Sequence, residues 1–111
     1  MTTALAILLI VHAVIHLLGT AKAFNWAEIP ALAQPITPAL GAIWLLAALF
    51  FGAAAVSLYA FPRIWWLIAL CAVALSMTVI VTSWADAKAG TAPNLVVLAA
   101  VAVHLATGRW R

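Results

Sequence analysis

His12 and His16 stand four residues apart in an apolar run, residues 2–21, that contains no charged side chain. On a helix they are offset by about 40° and share one face. Imidazole changes charge near neutrality, so it can relay protons, ligate metals or hydrogen-bond. An ionisable residue inside hydrocarbon marks a candidate functional site, because the bilayer offers it no partner. Leu5, Gly19 and Ala23 extend the same stripe, and the stripe is expected to face other helices. By the helical rise, His12 falls about 15 Å from either end of its run, with His16 one turn nearer the outer surface.

Three chemistries fit the pair. Both rings can hydrogen-bond neighbouring helices as packing devices, worth about 1 kcal/mol. They can belong to a ligand or proton site. They can also hold haem or a metal ion, as two histidines one turn apart do in an HExxH helix. Here the Glu of that motif is missing and no third protein ligand follows. No metal or cofactor is therefore assigned, and His12 and His16 are the only candidates for one. His104 lies about 9 Å from His12 in depth by the helical rise, which keeps it from joining them.

A second polar stripe lies in the third apolar run. Ser76 and Ser83 fall within about 20° of each other, with Thr78, Thr82 and Asp86 on a neighbouring face. Hydroxyls inside spans often bond their own i−4 carbonyl. The alternative is a stripe that faces the histidines. The candidate ligand or proton site is then His12, His16, Ser76, Thr82, Ser83 and Asp86, with Asp86 at the outer mouth above His16. Lys22, Glu28 and Lys88 would form a charged collar around it. The serines lack a base at fixed spacing and there is no phosphate-binding glycine loop, so catalysis is not expected.

The elements that position these residues follow from composition. The chain has 111 residues, 69% hydrophobic and 6% charged. Soluble chains are roughly 45–50% apolar and about 25% charged. Runs of about 20 apolar residues match a ~30 Å hydrocarbon core, and four of them fill this sequence. The expectation is an all-α fold, a four-helix antiparallel bundle forming one integral membrane domain over residues 1–111. Its spans are about 2–21, 38–61, 64–85 and 94–108. Residues 24–36, with Pro30 and Pro35, are expected as a short interfacial helix or a shallow re-entrant segment. The first run lacks a basic leader and exceeds the roughly 7–15 residues of a signal-peptide core, so it reads as a true span. Pro38 suits the first turn of the second span, and Thr91 or Asn94 would cap the fourth.

Five basic and two acidic residues are too sparse for a nucleic-acid surface. They read as topology markers. Arg63, Arg109 and Arg111 share a side with the termini, whereas Lys22 and Lys88 opposite are offset by Glu28 and Asp86. This places both termini in the cytoplasm of a multi-pass plasma (inner) membrane protein by a bias of one residue. Trp26 and Trp84 are expected at one interface and Trp65, Trp66 and Trp110 at the other, with Trp44 as a packing residue. Small-residue pairs Ala48/Gly52, Ala72/Ser76 and Ala102/Ala106 suit close helix packing. The single cysteine, Cys71, reads as a buried apolar filler.

The segments His12-Ala13-Val14-Ile15-His16-Leu17-Leu18-Gly19 with Lys22-Ala23-Phe24, Gln34-Pro35-Ile36, and Ser83 to Thr91 with Asn94 resemble an uncharacterised family of small four-span bacterial membrane proteins. The resemblance covers most of the chain and implies a fold without an activity. Small multidrug-resistance transporters are similar in length and span number. They work around a carboxylate in their first span, which this chain lacks. Three functions stay open: binding or conduction of a small ligand, lipid or ion; an accessory or scaffold role in a larger membrane complex; and a haem- or metal-ligating redox role. The lipid bilayer is the expected partner, with a homodimer or larger complex open.

Overall fold

A computed structural model describes residues 1–108. Arg109, Trp110 and Arg111, read above as topology and interface markers, lie outside the described residues. Helix α1 spans Thr2–Ala23, α2 Pro38–Ala60, α3 Trp65–Thr82, and α4 Trp84–Ala87; a 3-10 turn, Lys88–Gly90, leads into α5, Thr91–Thr107. Four helical stretches are long and apolar enough to cross a membrane, the fourth being Trp84–Thr107 taken together. The chain is an antiparallel four-helix bundle. α1 packs on α2, α2 on α3, and α3 on α5, with a smaller α1–α5 contact closing the ring.

Local chemistry sets the helix ends. The Thr37 hydroxyl accepts from the Leu40 N–H at 3.2 Å, and Pro38 opens α2. Proline suits that place because the first helical N–H has no partner to lose. α2 stops before Pro62, which disfavours helical geometry at Phe61. Past the end of α1, Asn25 takes a left-handed φ of 56°. The Trp26 N–H reaches Ala21 O at 2.8 Å and the Asn25 N–H reaches Lys22 O at 3.2 Å. This is the Schellman pattern that satisfies terminal carbonyls.

Residues 24–37 contain turns and no helix. Pro30 and Pro35 interrupt the near-helical apolar spacing, and the segment packs as an irregular strap. Leu32 and Ile36 are buried with Ala23, Trp44 and Val79 at one end of the bundle. The main core joins Leu5, Leu9 and Ala13 to Phe51, Trp65, Ala69, Ala72, Val97 and Val101.

Three side chains sit differently from the sequence expectations. Trp65, at the first turn of α3, is fully buried within the bundle and stands edge-on to His104 with ring centroids 5.7 Å apart. A start at Trp65 turns its ring inward onto the core stripe. Cys71 faces outward, because the inward face at that level belongs to Ala69, Ala72 and Val73. Asn94 does not cap the fourth span. α5 begins three residues earlier, at Thr91, and carries Pro93 in its first turn, where a missing N–H costs no helical bond.

Candidate functional site

One face of α1 buries Leu5, Leu9, His12, Ala13, His16, Gly19 and Ala23. It turns both histidines toward the bundle axis, where they are 2% and 1% exposed. Their rings meet edge to face with centroids 4.5 Å apart. Phe51 packs on both, at 4.6 and 5.3 Å, and Trp44 lies 5.3 Å from His16. Gly19 admits Trp44 here, since a Cβ on residue 19 would fall 2.1 Å from the indole Cδ2.

The polar atoms form a closed hydrogen-bond ring across three helices. His12 Nε2 lies 2.9 Å from Asn94 Oδ1, and Asn94 Nδ2 lies 2.9 Å from Ser76 Oγ. Ser76 Oγ is 2.8 Å from His16 Nε2, and His16 Nδ1 is 2.8 Å from the His12 carbonyl. The direction of each bond follows from the donor inventory. Asn94 Nδ2 also reaches Met77 Sδ at 3.2 Å, an acceptor, which orients the amide. Its oxygen can only accept, so His12 Nε2 carries a proton. The His12 carbonyl can only accept, so His16 Nδ1 carries one. Ser76 accepts from Asn94 and donates its hydroxyl hydrogen to His16 Nε2. Both imidazoles are neutral in this arrangement, as hydrocarbon favours, and they are opposite tautomers.

One acceptor is left over. His12 Nδ1 is buried and has no hydrogen-bond partner; Trp44 Nε1, a donor, is in the same position. Buried polar atoms without a protein partner are satisfied by ordered water or by a bound group. Both residues line a cavity of about 250 Å³ whose other walls include His16, Ile80, Gly90, Leu32 and Asp86. Gly90 approaches Ile80 and the His12 ring: a Cβ there would lie 3.0 Å from Ile80 Cδ1 and 3.7 Å from His12 Cε1.

The remaining candidates divide. Asp86 is half-buried, lines the cavity, and accepts the Gln34 N–H at 2.7 Å, which ties the strap across the mouth. Ser83 is buried at the end of α3, and its carbonyl caps the Asp86 and Ala87 N–H groups. Thr82 donates to Val79 O within its own helix at 2.9 Å and stays outside the ring. Lys22 donates to Leu32 O and so holds the strap from the other side. Lys22 and Glu28 border a separate surface depression, and Lys88 is exposed on the 3-10 turn. Of the charged groups, Asp86 and Lys22 brace the strap.

Asn94 and Trp44 are the site residues that sequence reasoning missed. Asn94 reads as a cap from sequence because Asn favours the N-cap position. A lone amide beside an apolar run was the signal that could have exposed it. Among the described residues no three His, Cys, Asp or Glu side chains come together as a metal-ligating group. His16 uses both ring nitrogens, so metal ligation here could draw on one free imidazole nitrogen, that of His12. No family model, curated protein or solved structure matches this chain.

Proposed function

We propose that this chain is a membrane-embedded binding protein for a small, mostly apolar molecule. The observation that carries the reading is a largely apolar cavity of about 250 Å³ inside the bundle, lined by His12, His16 and Trp44 among aliphatic side chains. The size suits a one-ring compound, since an apolar cavity of about 150 Å³ accommodates benzene. Ile15 and Leu18 line the cavity and are exposed on the outer face of α1, which favours access from the acyl chains. The charge bias puts the termini in the cytoplasm. A cysteine at Glu28 should then react with an impermeant thiol reagent added outside cells, and one at Arg63 should not.

Binding is tested with toluene on protein in detergent micelles. Magnetisation transfer from the toluene ring to the Ile80 methyl groups is expected, and it should disappear in Ala31→Trp, which fills the rim from an exposed position. Equal transfer to outward methyls such as Val81 would show that toluene only dissolves in the micelle and would end this reading.

A further inference from the structure

Gly90 lines the cavity, and its backbone gives no reason for a glycine. It closes the 3-10 turn before α5 with φ −65° and ψ −16°, a helical geometry open to any L-residue. These are not the extended dihedrals of a capping residue, where glycine is favoured over alanine. Close packing supplies only a weak reason. Gly19 and Gly41 must be glycine, because a Cβ would fall 2.1 Å from Trp44 and 2.3 Å from Ala23. A Cβ on Gly90 would meet Ile80 Cδ1 at 3.0 Å, Ile80 Cγ1 at 3.6 Å and His12 Cε1 at 3.7 Å. The last two are ordinary contacts, and the first is to the tip of a flexible side chain. Ile80 and His12 both line the cavity.

What a Cβ would change is the space. It would stand beside Ile80 and His12 in the wall of a cavity of about 250 Å³. Either the methyl takes up cavity volume, or the buried Ile80 yields by moving its tip into the same open space. The other walls do not retreat to compensate. His12 and His16 are fixed by their hydrogen bonds to Asn94 and Ser76, and Trp44 is packed down onto Gly19. Packed interiors resist overfilling, so the cost of a lost methyl's worth of room rises with the size of the occupant. We infer that Gly90 is the size-determining residue of the cavity: its missing side chain sets the largest apolar body the site admits. The inference rests on the binding reading above.

The test measures benzene, toluene and 1,3,5-trimethylbenzene on the wild type, Gly90→Ala and Gly52→Ala in detergent micelles, each corrected for its partition into empty micelles. Gly52→Ala is the control, since a Cβ there meets nothing within 4 Å. Binding is read as magnetisation transfer to the Ile80 methyl groups. In Gly90→Ala the loss of affinity should grow with ring size, from less than about twofold for benzene to about tenfold for 1,3,5-trimethylbenzene, the scale of overfilling a packed site. Gly52→Ala should bind all three as the wild type does. Gly90→Ala should also melt within about 4 °C of the wild type. An equal loss for all three rings, or no loss, overturns the sizing role and leaves the binding site standing. A larger fall in melting temperature with all three rings lost alike makes Gly90 a packing glycine. A wild type that already rejects the largest ring puts the limit at another wall and overturns the inference too. If the wild type shows no transfer to Ile80 from any of the three, the binding reading fails and the inference falls with it.

Discussion

His12 and His16 have the same side chain one turn apart, yet the structure gives them opposite protonation patterns. His16 bonds at both nitrogens, and His12 bonds at one. The cause is Asn94, whose amide meets His12 through its oxygen and Ser76 through its nitrogen. Nitrogen-15 spectra should therefore show His12 protonated at Nε2 and His16 at Nδ1; two histidines of the same tautomer would disprove the ring. Asn94→Ala should be costly, because it strands the His12 N–H and one side of Ser76 Oγ in a dry interior. A loss of about 1–3 kcal/mol is expected, read by denaturant titration in micelles. Thr78→Ala, which removes only an exposed bond to Ala74 O in the same helix, should shift stability by less than about 0.5 kcal/mol. The histidines and Ser76 were legible in the sequence, since polar residues on a helical stripe inside hydrocarbon must find partners. Asn94 was not, because its role depends on where α5 begins. That start is set by the break after Thr82 and the 3-10 turn.

At the scale of elements, the glycines sort by what faces them. Gly19 and Gly41 are contact points between α1 and α2. A Cβ on Gly19 would strike Trp44 at 2.1 Å, and one on Gly41 would lie 2.3 Å from Ala23 Cβ. Gly52 meets nothing within 4 Å. Gly19→Ala should therefore displace the indole and destabilise the bundle by about 1–3 kcal/mol. Gly52→Ala should be stabilising by about 0.5–1 kcal/mol, as expected where a helical glycine has room; equal effects in a thermal-unfolding comparison would contradict the packing described. The small-residue pairs show the same lesson. Ala72 and Ser76 are fully buried, whereas Ala102 and Ala106 are exposed. Spacing identifies a close-packing face only when a neighbouring helix lies beside it.

At the scale of the molecule, the strap couples the loops to the cavity. Its two ties are the Gln34 N–H to Asp86 and the Lys22 ammonium to Leu32 O. Asp86→Ala should speed hydrogen exchange at the Gln34 amide and open the cavity mouth, while Asp86→Asn keeps an acceptor and should change exchange little. If Asp86→Ala leaves exchange unchanged, the strap is held by Leu32 and Ile36 burial alone. Composition and run length by themselves determined the all-helical membrane bundle, because hydrocarbon thickness and backbone hydrogen bonding leave few alternatives. They also determined that the His12/His16 stripe faces inward. The tertiary structure decided which hydroxyls and amides meet those rings, that Trp65 is core and Cys71 outward, and that His12 bonds through one ring nitrogen where His16 bonds through two. These depend on helix rotation and on start positions a few residues apart, and in spans that are apolar on every side the sequence carries little amphipathic signal to set that rotation.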